Sequence, residues 1–303
     1  MMDEAETKGR GVRLEVDGVS RVFNEFSDDP FLALPETNLT FEPGEFVSVV
    51  GPSGCGKSTL MLIAAGLLAP TSGEVRVDGQ VQTKPMTDVG IAFQDHLLLD
   101  FRTARENVLL QADIRGLDKT ALGQRTDELF EQLGLHEGAG DKYPKQLSGG
   151  MRQRVSLART VVHRPSMLML DEPFGALDAL TRLQVRHDLE QLWLQYRPTV
   201  LFVTHSVEEA VGLSDRIVVF STSPGRIVDE IAVDLPRPRP LALGDTPEYA
   251  KYADRVFEHF ESMGVLSEDE VTHDGPPGGD DGPDPTDAVE LEHRMRRKGM
   301  GSL

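Results

Sequence analysis

The chain reads as an α/β protein built on a mostly parallel sheet with helices on both faces. Three observations predict this. From residue 46 onward, short apolar β-branched runs alternate with stretches of helical period. The most apolar run, Phe46–Val50, passes without a break into a glycine-rich turn and then a helical segment. A length of 303 residues with 39% apolar content supplies a buried core for one large domain or two smaller ones.

Taken in order, residues 11–50 alternate in the manner of strands, with Val12, Leu14, Val16, Phe41 and Phe46–Val50 as the apolar positions. A polar loop bounded by proline is expected over residues 24–35. A helix is expected over 59–68, ending at Ala69-Pro70-Thr71-Ser72-Gly73. Residues 74–77 read as a strand closed by an Asp78-Gly79 turn, and 89–93 as another, with Gln94 at its end. From Asp95 to about Tyr143 the period turns helical, with Leu109, Leu110, Leu122, Leu129, Phe130 and Leu133 as apolar positions, so a helical insertion is expected. Helices over 151–163, 179–196 and 207–213 alternate with strands over 166–170 and 199–203, and 217–220 is expected to be the last strand. Alternation of this kind predicts parallel pairing. Three prolines in Leu235-Pro236-Arg237-Pro238-Arg239-Pro240 mark a boundary. One more helix is expected over 247–263, followed by a Gly-, Pro- and Asp-rich linker of disordered type over 275–283.

The net charge is −19. That balance excludes a nucleic-acid binder, which needs a basic face, and predicts a self-repelling surface. Between Ser267 and Leu303, ten acids against four Lys or Arg account for −6 of the total. Arg294-Met295-Arg296-Arg297-Lys298 in that tail reads as solvated, with anionic lipid as the alternative contact. No apolar run approaches the length needed to span a bilayer. The acidic start, Met1-Met2-Asp3-Glu4-Ala5-Glu6, lacks a signal-peptide core. The single Cys55 allows no internal disulfide and fits a reducing compartment. A cytoplasmic protein is expected.

Gly51-Pro52-Ser53-Gly54-Cys55-Gly56-Lys57-Ser58-Thr59 matches the phosphate-loop pattern at every fixed position and lies between a strand and a helix, as that pattern requires. The glycines let backbone N–H groups wrap an anion, and the helix N-terminus adds its positive end. Lys57 is expected on the β- and γ-phosphates and Ser58 on Mg²⁺, with Thr59 nearby. Cys55 has two readings. It is a small filler, or its thiol is acidified by the anion nest and reacts with thiol reagents unless ATP protects it. Met167-Leu168-Met169-Leu170 is an apolar strand that carries Asp171 and Glu172 at its C-terminal end, where open α/β sheets bind ligands. Asp171 is expected to hold Mg²⁺, and Glu172 to act as general base on the attacking water. Ser148-Gly149-Gly150, ahead of the helix at 151, makes a second anion site.

With Gln94, Leu147-Ser148-Gly149-Gly150-Met151 and Thr204-His205-Ser206 in this fixed order, the chain resembles the ATP-binding subunit of an ABC transporter over about residues 12–235. The resemblance implies a P-loop NTPase (RecA-like) sheet with an N-terminal antiparallel β subdomain, an ATP-binding domain over 11–235, and a helical subdomain over about 95–150. A short extension at 236–266, expected to be helical, and an acidic disordered-type tail at 267–303 then follow. It implies ATP and Mg²⁺ as ligands. His205 would contact the γ-phosphate, and Gln94 would reach Mg²⁺ or the lytic water. Ser148, Gly149 and Gly150 would bind the γ-phosphate of ATP on a second copy. Asp178, in Pro173-Phe174-Gly175-Ala176-Leu177-Asp178, would help organise that copy's site. Phe23 would stack on adenine, with Phe26 as the competing candidate.

Pro43-Gly44-Glu45-Phe46, Leu147 to Met151, and the run from Phe93-Gln94-Asp95 through Arg102-Thr103 to Glu106-Asn107-Val108 look most like the nitrate, sulfonate and taurine importers. At Asp100-Phe101 the chain departs from the Pro-Trp common in that group. The implied partners are a second copy, membrane permease subunits and, through them, an extracytoplasmic solute-binding protein, at the cytoplasmic face of the membrane. Residues 95–108 would line the groove that receives a permease helix, although Leu97, Leu98 and Leu99 are equally readable as core. The chain is too short after Leu235 for the large β-rich domain that sugar, polyamine or iron importers append. An exporter ATPase or a soluble non-transport ABC ATPase is the alternative.

Overall fold

A computed structural model describes residues 11–265 except 28, 137, 176 and 242–245. The expected linker, the acidic tail and its basic run lie outside the described residues.

Among the described residues, ten strands form two sheets. The first is antiparallel, in the order β2-β1-β4-β5, from β1 (Leu14–Phe23), β2 (Phe31–Phe41), β4 (Ser72–Val77) and β5 (Gln80–Val81). The second runs β10-β9-β3-β8-β7-β6, from β3 (Phe46–Val50), β6 (Val89–Ala92), β7 (Met167–Asp171), β8 (Thr199–Thr204), β9 (Arg216–Phe220) and β10 (Ile227–Ala232). Its pairs are parallel except β10 against β9. Burial explains the composition of the middle strands. β3, β7 and β8 are covered on both faces, so they read as unbroken apolar runs rather than alternating ones.

Seven α-helices accompany the sheets: α1 (Lys57–Ala64), α2 (Ala104–Arg115), α3 (Lys119–Gln132), α4 (Gly149–Val161), α5 (Ala179–Tyr196), α6 (Val207–Leu213) and α7 (Pro247–Ser262). Most starts are written in the sequence as caps. Thr103 and Glu106 form a reciprocal capping box on α2. Asp118, Ser148, Asp178, Ser206 and Thr246 accept from first-turn N–H groups of α3, α4, α5, α6 and α7.

The core has three clusters. One, under the antiparallel sheet, joins α1 to the β3, β7 and β8 face. A second joins the helical insertion to α4 and α5, with Trp193 set edge-on to Phe46 at 5.7 Å between ring centroids. The third packs α6 and α7 on β9 and β10. Tyr249, Ala253, Val256, Phe257 and Phe260 form the buried stripe of α7, the spacing an amphipathic helix needs.

Three expectations are corrected. The loop expected over 24–35 ends at Phe31, where β2 starts. Pro35 lies inside β2, at the irregularity between the pairs Val19–Thr37 and Arg21–Leu34. A proline without an N–H is tolerated where the ladder is broken. The strand at 216–220 is not the last, because β10 follows it on the sheet edge. Its charges hid it: Asp229 and Glu230 interrupt the apolar pattern, and only Ile231 is fully buried among the strand's residues. Those charges are answered by tertiary partners, Asp229 by Arg255 and His259, and Glu230 by Arg216. The first helix is also shorter than expected, ending at Ala64 rather than 68.

Candidate active site

Register brings the site together. Val50 pairs with Thr204 across β3 and β8, and Asp171 pairs with Val203 across β7 and β8. The loop at Gly51, the acids at 171–172 and His205 therefore leave the sheet at one carboxyl edge. Gln94 follows β6 by two residues, and Ala92 pairs with Leu170 on β7, so Gln94 emerges at the same edge with an exposed side chain.

The phosphate loop is shaped by its neighbours. Gly56 has φ 106°, and a Cβ there would stand 2.5 Å from the Ala33 carbonyl oxygen. Lys57 is buried and curls back over the loop. Its Nζ donates to the carbonyls of Gly51 at 2.7 Å and Pro52 at 2.9 Å. Ser53 and Gly54 are exposed, and Pro52 and Thr59 half-buried. Ser58 is exposed at the start of α1, and its hydroxyl acts to hold the Asp171 carboxyl down.

The two acids behave differently. Burial pushes Asp171 above the usual carboxylate range and the Glu172 charge adds to this, against the Ser58 hydrogen bond and the Lys57 charge. Glu172 is held below its usual value, chiefly by hydrogen bonding to His205, whose Nδ1 lies 3.3 Å from Glu172 Oε2. The same contact raises His205. Glu172 sits at φ 44°, while its N–H still donates to the Val203 carbonyl at 2.8 Å. A left-handed non-glycine residue costs about 1–3 kcal/mol, held where the surroundings over-determine it.

Cys55 is corrected. Its thiol is fully buried, and burial raises it against the smaller pull of Lys57. It is therefore not acidified by the loop. Gly225 closes over it: the Gly225 N–H donates to the Cys55 carbonyl at 3.2 Å, and a Cβ on Gly225 would lie 2.3 Å from that oxygen. Sequence reasoning missed Gly225, although Ser223-Pro224-Gly225 is a turn signal. It also missed Glu209. That buried carboxylate accepts from the Thr204 hydroxyl at 2.5 Å, and the hydroxyl in turn accepts from the Ser206 N–H at 3.0 Å. Burial raises Glu209. The pair braces the turn that carries His205, and Ser206-Val207-Glu208-Glu209 is the capping-box pattern that could have revealed it.

The remaining candidates stand apart from the loop. Ser148 caps α4 by accepting from the Met151 N–H at 3.3 Å, with Gly149 and Gly150 half-buried beside it. Among the described residues no hydrogen bond ties Ser148, Gly149 or Gly150 to the phosphate loop. Asp178 is exposed and accepts from the Thr181 N–H at 3.0 Å, which holds its carboxyl low. Phe23 is half-buried, with the Arg21 guanidinium 4.7 Å over its ring, whereas Phe26 is 98% exposed.

A phosphate-binding turn between the parallel strand β3 and a helix, with an acid pair at the end of β7 one strand beyond β8, defines a P-loop nucleotide-binding protein. The ABC transporter family matches residues 34–175. The chain is 43% identical over 250 residues to an uncharacterised ABC transporter ATP-binding protein of Methanocaldococcus jannaschii, covering 82% of this chain and 93% of that one. It is 42% identical over 253 residues to an aliphatic sulfonates import ATP-binding protein of Bacillus cereus, covering 84% and 98%. It is 43% identical over 227 residues to a nitrate import ATP-binding protein of Synechococcus elongatus, covering 73% and 82%. The dimeric structure of a bacterial ABC transporter cassette superposes with a TM-score of 0.66 at 31% identity, covering 73% of this chain and 98% of that one. The same cassette is also known in a post-hydrolysis state bound to ADP and Pi, with a TM-score of 0.65. This chain belongs to the ABC transporter family as an ATP-binding, ATP-hydrolysing subunit. No helix among the described residues is long and apolar enough to cross a membrane.

Proposed function

We propose that the chain powers a solute importer by hydrolysing Mg²⁺-bound ATP between two copies of itself. The observation that carries the reading is the Glu172–His205 pair standing at the sheet edge that also holds Lys57, Ser58 and Asp171. Residues 51–59 wrap the phosphates with backbone N–H groups, and Lys57 exchanges its loop carbonyls for β- and γ-phosphate oxygens. Phe23 stacks on adenine with its face opposite Arg21.

The donors fit Mg²⁺. Ser58 at the start of α1 and Asp171 at the end of β7 offer hard oxygen ligands, and no cluster of three or more His, Cys, Asp or Glu exists among the described residues. So sparse a set suits an ion that keeps waters and takes most remaining ligands from substrate phosphates. Ser58, Asp171 and Gln94 would hold it, and when bound it neutralises charge on the transferring phosphoryl group. Glu172 orients a water and takes its proton as the oxygen attacks the γ-phosphorus and the bond to the leaving ADP oxygen breaks. His205, steadied by Glu172, contacts the γ-phosphate. The N-terminus of α4 in a second copy, at Ser148, Gly149 and Gly150, completes the charge neutralisation, and Asp178 supports that copy's site.

Permease subunits dock on the helical insertion and hold the chain at the cytoplasmic face. Phe101 is 75% and Leu97 56% exposed there. A groove of about 490 Å³ is lined by the apolar Phe101 and Leu109 and the charged Arg102, Glu106, Asp113 and Lys119. The solute is a small anionic or organic molecule such as nitrate, a sulfonate or taurine, delivered by an extracytoplasmic binding protein; the likeness to a sulfonate and a nitrate importer subunit supports this class.

Co-purification of the tagged chain from native membranes tests the reading. A polytopic permease together with a solute-binding protein is the expected recovery. Soluble partners alone, or a permease without a binding protein, would overturn the importer assignment.

A further inference from the structure

Between β6 and α2 the chain is held in a conformation it would not adopt alone. Leu97 has φ 42° with its side chain more than half exposed. The left-handed region costs a residue with a Cβ roughly 1–2 kcal/mol. Helix α4 fixes the bend. Arg159 Nη1 donates to the Leu97 carbonyl at 2.7 Å, and Arg159 Nη2 to the His96 carbonyl at 2.9 Å. Two turns earlier on the same helix face, Arg152 Nε donates to His96 Nε2 at 2.7 Å.

Arg152 has a second acceptor. Its Nη1 donates to the Leu147 carbonyl at 2.7 Å, and Leu147 directly precedes Ser148, Gly149 and Gly150. One guanidinium thus spans the His96 ring and the backbone that leads into the α4 N-terminus. His96 accepts only as neutral imidazole. On the other side of the segment, Asn107 of α2 donates to the carbonyls of Leu99, Arg102 and Thr103 and accepts from the Leu99 N–H at 2.7 Å. Hydrogen bonds from α4 on one side and α2 on the other hold the segment.

We propose that His96 is a positioning residue for the second half of the ATP site: through Arg152 it sets the backbone at 147–150 and passes to it any displacement of the exposed segment at 97–101. This deepens the reading above, because it rests on Ser148, Gly149 and Gly150 meeting ATP on another copy. Without an acceptor at residue 96, Arg152 can rotate about its remaining contact and the Leu147 carbonyl loses a fixed donor. The α4 N–H groups then miss the γ-phosphate, while the phosphate loop of the same copy is untouched. Misplacement by about 1 Å can cost on the order of a hundredfold in rate.

The purified full-length chain tests this with His96→Leu, which removes the acceptor, and His96→Gln, whose amide oxygen keeps one. The measurements are affinity for a fluorescent ATP analogue on the monomer, kcat and KM for ATP, and ATP-driven dimerisation in a Glu172→Gln background. His96→Leu is expected to lower kcat roughly tenfold or more and to raise the dimer dissociation constant by a similar factor, with monomer affinity unchanged. His96→Gln is expected to stay within about threefold of the parent, and Arg152→Met added to His96→Leu to cost little further, as coupled residues do. Parental kcat and dimerisation in His96→Leu overturn the inference. So does a loss of monomer nucleotide affinity, or a His96→Gln protein as impaired as His96→Leu, because each makes the ring a general packing element. Failure of the protein with His96 intact to dimerise on ATP overturns the two-copy reading itself, and the inference with it.

Discussion

His205 and Glu172 meet across the ends of β8 and β7, Nδ1 to Oε2 at 3.3 Å, and each holds the other in its charged form. Glu172 sits below its ordinary 4.5, so its share of stability is present above that value and is lost as pH falls through the lowered pKa. His205 sits above its ordinary 6.5, so its share is fully present below 6.5 and is lost as pH rises through the raised pKa. The pair is complete between those two ordinary values. His205→Ala should therefore lower Tm most near about pH 6 and progressively less on the alkaline side. Thermal melts of both proteins across pH check this; a Tm difference that does not shrink toward alkaline pH contradicts it.

Glu172→Gln keeps the side chain's size and removes the base. Turnover should fall by on the order of a hundredfold or more, the scale of general-base catalysis, while ATP binding persists. Steady-state hydrolysis and gel filtration with ATP read both effects. A variant that hydrolyses ATP at the parental rate would remove Glu172 from its assigned role.

ATP should stabilise the fold through Lys57. Ligand at about 100 times its Kd contributes roughly 2.7 kcal/mol, which for a domain of this size raises Tm by about 5–10 °C. Lys57→Ala should lose most of that rise. An equal ATP-induced shift in the variant would place the main phosphate contact elsewhere.

The thiol of Cys55 should resist modification at neutral pH, because it is buried and its ionisation is opposed. A thiol-reactive chromophore should read near zero thiols on the native chain and one after unfolding in denaturant. Rapid labelling of the native protein, slowed by ATP, would restore the acidified-thiol reading.

Arg237 ties the segment after β10 to the core. It donates to Glu190 Oε1 at 2.9 Å and to Asp215 Oδ1 at 2.9 Å, and its guanidinium lies 4.3 Å over the Trp193 ring. Glu190 is almost fully buried. Arg237→Met leaves that buried carboxylate with the Arg239 N–H at 3.0 Å but without its ion-pair partner, and should cost about 3–5 kcal/mol. Adding Glu190→Met should recover a large part of the loss. Denaturant melts of the two single variants and the double variant give the coupling; strict additivity would show that the buried pair does not act as a unit.

The sequence by itself determined the α/β class and the ends of α5 and α6, because caps and apolar periods are local. It also determined the phosphate loop, since glycine spacing between a strand and a helix is a local requirement. It did not reach β10, whose Asp229 and Glu230 become tolerable only when Arg255, His259 and Arg216 arrive from elsewhere in the chain. Nor did it reach the burial that separates the two readings of Cys55, or Glu209 bracing Thr204, or Arg152 joining His96 to Leu147. Caps and periods are written within a few residues. The ionisation of a thiol, the partner of a charge and the convergence of Lys57, Asp171, Glu172 and His205 depend on which strands lie side by side, and only the packed sheet decides that.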